Sequence, residues 1–381
     1  MSEWNNYSLG GVAEITSSKR IFYSEYVDSG IPFYRSKEVI NLFKKEPVQT
    51  ELFITQERFN EIESKFGVPK ENDILLTSVG SLGIPYLVKA SDKFYFKDGN
   101  LTWFRNIDKS LLDPKYLYIW LSSSIGKQKL DEVTIGSTQA ALTISGLKTI
   151  EIELPPLPEQ KAIASVLSSL DDKIDLLYRQ NKTLEAMAET LFRQWFIEEA
   201  KEDWEEASLG SLFTISSGKG LKREQFRDHG LIPVLGANGE IGRTDQVMFE
   251  EFLIYTGRVG TLGKVSIIEG QPVWLSDNTL VFRDIEYFYF TYFQLKAVNY
   301  QEYNVGSTQP LIRQSDIKEI AVLLPSDLDM IKRFELQAKD IFGKIQTNTK
   351  QIQTLENLRN TLLPKLMSGE VRVQYQTEEV A

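Results

Sequence analysis

Cysteine is absent from these 381 residues, and histidine occurs once, at His229. The first absence excludes disulfides and thiolate chemistry. The two together exclude the common zinc constellations, which draw on several imidazole or thiolate ligands. No apolar run approaches the ~18 residues that a membrane span needs. The opening residues, Met1 to Tyr7, lack the basic and apolar regions of a secretion signal. The expectation is a soluble, cytoplasmic protein. Positive charge is in deficit as well, with 43 Lys and Arg against 53 Asp and Glu, a net charge of −10. That balance counts against a free-standing nucleic-acid binder, whose affinity comes mainly from neutralising phosphates. A local basic face, or phosphate contacts supplied by partner subunits, would meet the objection.

Catalytic signatures are missing too. Gly257-Arg258-Val259-Gly260-Thr261-Leu262-Gly263-Lys264-Val265 has the look of a phosphate loop, but its first Gly lies one residue too far away and Val265 stands where a metal-binding Ser or Thr is required. Gly236-Ala237-Asn238-Gly239-Glu240-Ile241-Gly242 lacks the G-x-G spacing of a dinucleotide fingerprint and reads as turns. Pro155-Pro156-Leu157 lacks the polar and aromatic flanks of an amino-methyltransferase motif, and His229 reads as an ordinary loop residue. A non-catalytic chain is expected, with no catalytic, cofactor-binding or metal-binding residues.

What the chain does contain, it contains twice. Trp4 and Ser8-Leu9-Gly10 return as Trp204 and Ser208-Leu209-Gly210. Val79-Gly80-Ser81-Leu82-Gly83 returns as Val259-Gly260-Thr261-Leu262-Gly263, and Gly136-Ser137-Thr138-Gln139 as Gly306-Ser307-Thr308-Gln309. The offset shrinks from 200 through 180 to 170 along the chain, which puts insertions in the loops of the first copy. Such a period is too long for a solenoid and means two complete modules. An apolar fraction of 42% lets both bury real cores. Residues 1–155 and 201–325 both read as short β-branched and aromatic runs broken by Gly, Asn, Asp and Ser, the pattern of antiparallel sheet. One short helix per copy is expected, around Lys115–Ser122 and Phe288–Val298.

Residues 156–200 and 326–381 differ in kind. Ile163, Leu167, Leu170, Ile174, Leu177, Leu184, Ala188, Leu191 and Trp195 fall on alternating four-three spacing, with Asn181 at the one polar seam position. A second seam runs through Phe334, Ala338, Ile341, Ile345, Asn348, Ile352, Leu355, Leu362 and Leu366, interrupted at Arg359. Pro364 should kink or end that helix. Antiparallel packing with matched ends makes paired numbers sum to 529, so that Ile163 meets Leu366, Trp195 meets Phe334, and Asn181 faces Asn348. Two amides that satisfy each other would fix register and orientation. The seam length corresponds to about 50 Å of helix. The first helix has a proline-set start at Pro155-Pro156-Leu157-Pro158, whereas Pro325-Ser326-Asp327-Leu328 should start the second less sharply.

The sequences Gly136-Ser137-Thr138-Gln139, Leu154-Pro155-Pro156-Leu157-Pro158-Glu159-Gln160-Lys161-Ala162-Ile163-Ala164 and Leu362-Leu363-Pro364-Lys365-Leu366-Met367-Ser368-Gly369-Glu370-Val371, set in this order, resemble the specificity subunit of type I restriction–modification enzymes over essentially the whole chain. The resemblance implies an α+β fold in which two β-rich target-recognition domains are separated by two long antiparallel coiled-coil helices with pseudo-two-fold symmetry. Each domain would read one half of a bipartite double-stranded DNA site, while the helices set the gap and dock two methyltransferase subunits. A motor-nuclease subunit would join for cleavage. S-adenosylmethionine, ATP and magnesium would belong to those partners, not to this chain. The alternative is a coiled-coil scaffold whose β modules bind proteins; a gel shift with and without methyltransferase subunits separates the two.

Base readout in the major groove draws on Arg, Lys, Asn, Gln, Ser and Thr. The candidates in the first module are Lys19, Arg20, Arg35, Lys37, Ser78 and Ser81. In the second they are Lys219, Lys222, Arg223, Asn238, Arg258 and Lys264. Thr138-Gln139 and Thr308-Gln309, shared by modules that read different sequences, are expected to brace the helix–domain junction or to contact DNA backbone.

Overall fold

The computed structural model describes residues 4–136, 140–306 and 308–374. The chain divides into two compact units, residues 1–175 with 352–381, and residues 176–351. Two long helices, Leu157–Arg193 and Leu328–Met367, run through that division, so each unit holds one β-rich module and one end of each helix.

In the first module a four-stranded sheet has the order Glu14–Thr16, Leu101–Arg105, Ile74–Thr77, Pro85–Leu87. In the second, Thr214–Ser217, Thr279–Arg283, Phe252–Gly257 and Ser266–Glu269 take the same order. Register is kept as well. Ile15, Phe104 and Ile74 align across three strands, as Ile215, Phe282 and Ile254 do. Both modules add a three-stranded sheet with one antiparallel and one parallel pairing, around Ile31–Tyr34 and around Ile232–Gly236. The strand that enters each module pairs with the strand that leaves it, Asn5–Ser8 with Glu151–Leu154 and Glu205–Ser208 with Ala321–Leu324. That ladder closes the module just before a long helix begins.

The expected short helices are present as Pro114–Ser122, capped by the Asp113 carboxylate, and Phe288–Ala297. The pattern of sheet alone was incomplete for the first module, which also holds helices Ser36–Phe43, Gln56–Phe66 and Ser124–Glu132. Gln56–Phe66 is set by Thr55, whose hydroxyl accepts from the Arg58 N–H at 3.1 Å, and by Gly67 at φ +83°. It buries only Phe59 and Ile62, so its apolar stripe is too thin to stand out in the sequence. These helices occupy the inserted length of the first copy.

In the first unit Ile163, Ala164 and Leu167 of the first long helix and Leu366 and Met367 of the second join the main core of the first module. The start of the first helix is also locked by polar contacts. Gln160, fully buried, donates to the Leu111 and Pro155 carbonyls and accepts from the Asp113 N–H at 2.8–2.9 Å. The buried Glu159 carboxylate receives both Nε and Nη2 of Arg372, whose guanidinium lies over the Trp4 ring at 5.6 Å. The beginning of the chain thus lies against the end of the second helix. The second unit uses rings instead, with Phe192, Phe196, Phe290, Phe293 and Phe334 at 4.9–6.0 Å. A π-turn at Gln194–Glu198 ends the first helix there, with Trp195 at 6.4 Å from Phe334.

Three features of the second helix take definite form in the structure: Pro364, Arg359 and its start. Pro364 does not end it, since the helix continues to Met367. The proline and Asn360, whose carbonyl loses its i+4 donor, are both exposed, while Leu366 and Met367 anchor the following turn in the core. Arg359 breaks the apolar seam but donates to Asp171 at 2.8 Å, which supplies it a partner. The less sharp start is capped by the Asp327 carboxylate, which accepts from the Asp329 N–H at 2.9 Å.

Candidate nucleic-acid interface

The loops that carry most of the candidate residues gather at one end of each four-stranded sheet, because antiparallel neighbours place the end of one strand beside the start of the next. In the second module Thr214–Ser217 and Phe252–Gly257 end where Thr279–Arg283 and Ser266–Glu269 begin. The hairpin tip Ala237-Asn238 reaches the same place, since a Cβ on Gly257 would lie 2.8 Å from that of Ala237. Lys264 donates to the Asn238 carbonyl at 3.2 Å, so these two candidates meet. Lys219 has its backbone clamped, donating to Leu275 and accepting from the Trp274 indole, and its side chain is left exposed. Lys222 and Arg223 are exposed on a 3₁₀ turn, Arg223–Gln225.

Arg258 sits at the centre of this group. Its N–H donates to the Asn278 carbonyl at 2.8 Å and its Nη1 to Ser217 Oγ at 3.3 Å. Gln314 donates to the same hydroxyl at 2.9 Å. Arg258 Nε is buried with no acceptor among the described protein atoms, at a cost of about 1–3 kcal/mol. Ser217 and Gln314 were not among the sequence candidates; they lie 97 positions apart, and nothing local marks either.

In the first module Ser78 takes the backbone position of Arg258, its N–H donating to the Asn100 carbonyl at 2.8 Å. Its side chain does something else. The hydroxyl is buried, 2.6 Å from Thr102 Oγ1, and is therefore not presented to a base edge. Ser81, in the turn that follows, is exposed. Ser36 Oγ also donates to the Asn100 carbonyl, which brings the Arg35–Lys37 turn alongside. Arg35 is largely committed to its own helix start, bonding the buried Glu38 carboxylate through Nη2 at 2.8 Å. Burial alone would raise the Glu38 carboxyl, but the bonds from Arg35 outweigh it and hold it below the usual range. Lys37 is exposed in the first helical turn. Arg20 pairs with Asp98 at 2.8 Å, and the Lys19 ammonium lies 5.2 Å from the Phe66 ring centre.

The remaining candidates lie elsewhere. Asn348, fully buried in the second unit, donates through Nδ2 to Asn181 Oδ1 at 2.8 Å and to Gln180 Oε1 at 3.0 Å. Ser137, Thr138, Gln139 and Ser307 fall outside the described residues. Thr308 and Gln309 are exposed. The residues after them pack on the Val-Gly-Thr-Leu-Gly turn, and Ile312 also joins the core that holds Phe192 and Phe334 of the two long helices. Val259 bridges Leu311, Gly260 donates to the Pro310 carbonyl, and Ile312 donates to that of Arg258. In the first module Val79 bridges Ala141 and Leu142 donates to the Ser78 carbonyl in the same way. Among the described residues no cluster of His, Asp or Glu is arranged to hold a metal ion, and no helix is long and apolar enough to cross a membrane.

Comparison with known proteins agrees with the duplicated architecture. The family model for the type I restriction modification DNA specificity domain matches twice, over residues 1–186 and 201–362. The chain is 29% identical to the type I restriction enzyme MjaIX specificity subunit of Methanocaldococcus jannaschii, with 98% of this chain and 94% of that protein covered. It is 35% identical to a putative type I specificity subunit of Haemophilus influenzae across 43% of this chain and 39% of the other. The crystal structure of a type I restriction–modification S subunit from M. genitalium shares the fold at a TM-score of 0.64, with 20% identity and coverage of 95% and 96%. Two matched domains on a duplicated sheet topology place this chain in the type I restriction–modification specificity subunit family, whose members recognise DNA sequence.

Proposed function

We propose that each module reads one half of a bipartite DNA site through the major groove, while the paired helices set the distance between halves and dock two methyltransferase subunits. Residues 1–155 and 201–325 are the two readers; 156–200 and 326–381 carry the spacer helices and the tail. Motor-nuclease subunits complete the cleaving complex, and S-adenosylmethionine, ATP and magnesium serve those partners. The observation that carries this reading is the pair Ser78 and Arg258. The same backbone N–H bonds the same asparagine carbonyl at 2.8 Å in both modules, yet one position hides a hydroxyl and the other holds a guanidinium. A shared frame with unlike side chains at one edge is what two readers of different sequences require. The net charge of −10 fits a subunit that binds tightly only when partners close around the DNA.

The test is Arg258→Ala in the chain co-assembled with its methyltransferase subunits, with the site identified from a randomised duplex pool. Loss of preference is expected at one position of one half-site, worth roughly 1–3 kcal/mol if the contact is a bidentate one to guanine. Unchanged affinity and preference would remove Arg258 from the interface. An assembled wild-type complex that selects no sequence would refute the function.

A further inference from the structure

Phe22 and Tyr23 are 61% and 91% exposed, and both belong to a turn that the two modules build alike. In the first, Phe22 N–H donates to the Glu25 carboxylate at 2.7 Å and Glu25 N–H to the Phe22 carbonyl at 2.9 Å. In the second, Lys222 N–H donates to Gln225 Oε1 at 3.0 Å and Gln225 N–H to the Lys222 carbonyl at 2.9 Å. An aromatic ring anchors each turn from below: Tyr26 packs on Phe33 at 5.1 Å, and Phe226 lies against Gly242. Both turns follow directly on the loops of Lys19 and Lys219 in the chain. What differs is the exposed pair, two rings in one module and two cations, Lys222 and Arg223, in the other.

We propose that these are equivalent DNA-reading turns that engage the duplex by opposite chemistry. This rests on the DNA-reading function proposed above. The Tyr23 hydroxyl can donate to a phosphate, but the apolar faces of two exposed rings gain only from apolar surface, and the apolar feature a major groove offers them is the thymine C5-methyl. Tyr23 rests edge-on against Tyr26 at 6.4 Å, and its ring stays exposed. Lys222 and Arg223 instead suit phosphate oxygens and guanine edges. Through this turn the first module therefore reads a thymine-bearing half-site with contacts that salt does not screen, while the turn of the second module makes contacts that salt weakens.

The experiment compares Phe22→Ala/Tyr23→Ala with Lys222→Ala/Arg223→Ala in the full chain assembled with methyltransferase subunits. Binding to the selected duplex is measured across a salt series. The aromatic double variant should lose roughly 10-fold or more in affinity, the scale of burying an apolar side chain, relax one or two positions of one half-site, and keep the wild-type salt slope. The cationic double variant should flatten the slope by about 0.9 for each phosphate it no longer neutralises and relax only the other half-site. Replacing selected thymines by uracil, which lacks the methyl, should reproduce the aromatic loss in wild type and have no further effect on the aromatic variant. An aromatic variant with unchanged affinity and preference overturns the proposal, while wild-type selection leaves the DNA-reading function standing. If the variant instead fails to assemble with methyltransferase subunits, the rings dock protein and the proposal is again overturned.

Discussion

Replacing Asn348 by leucine should stabilise the second unit, although it removes a buried hydrogen-bonded residue. Asn348 makes two amide bonds, to Asn181 and Gln180, together worth about 1–3 kcal/mol net. Its own Oδ1 is buried without a partner, which costs about 1–3 kcal/mol. The two contributions nearly cancel, so the amide contributes little to stability. Leucine removes both and adds apolar burial of about 1.5–3 kcal/mol. The partners left behind are not trapped, since Gln180 is exposed and Asn181 half-buried with a second contact to Thr349. A gain of about 1–2 kcal/mol is expected for Asn348→Leu. Asn348→Ala, which loses the bonds and leaves a void, should cost about 1–2 kcal/mol. Amide exchange in residues 176–193 and 334–351, with urea unfolding of the full chain, reads both changes. If Asn348→Leu proves less stable than wild type by more than about 1 kcal/mol, the orphaned oxygen has been misjudged and the pair is a stability device. If the reasoning holds, the amides serve orientation, and Asn181→Leu/Asn348→Leu should raise stability while admitting alternative helix pairings, visible as oligomers in light scattering.

Three further outcomes are expected. Gly257→Ala should abolish selection of one half-site and leave the other intact in a randomised-duplex selection, because its Cβ would lie 2.0 Å from the Thr261 carbonyl and 2.8 Å from Ala237. Arg372→Ala should lower the thermal midpoint of the first unit, since it strands a fully buried Glu159 carboxylate at a cost of about 3–5 kcal/mol; Glu159→Gln in the same chain should recover part of the loss. Burial pushes the Glu335 carboxyl, which accepts from the Phe290 N–H, up to about 7 from its ordinary 4.5. The folded state then holds a proton that the unfolded state has released, so stability should fall as pH rises from about 4.5 to 7. In Glu335→Gln that slope should flatten, and an unchanged urea midpoint profile across this range would count against the assignment.

Much of this architecture was legible because it is written in short-range periodicity. The four-three spacing put Trp195 against Phe334, and they lie at 6.4 Å; Ile163 and Leu366 share one core. A helix presents its seam by residue spacing alone, so a constant sum of partner numbers follows from arithmetic. The Gly-rich repeats likewise marked the turns, since Gly80 and Gly260 sit at φ +80° and +81° and Gly83 and Gly263 at +73° and +80°. Loop chemistry was less legible. Ser78 read as a polar loop residue, but sheet pairing places it inward against Thr102. Arg35 read as a free cation, but its helix start claims it. Nothing in the sequence separates Phe22 and Tyr23 from the many rings of the cores; only their exposure sets them apart.

The sequence by itself determined the duplication, the two long helices and the pairing of their seams, because each rests on patterns a few residues long or on direct repetition. Tertiary structure alone decided which polar side chains face outward at the clustered loops and which are spent inside. That choice depends on contacts between residues far apart in the chain, such as Gln314 with Ser217 and Arg258 with Asn278. The free energy of exposing or pairing one side chain is set by what folding brings beside it, and local sequence carries no record of that neighbour.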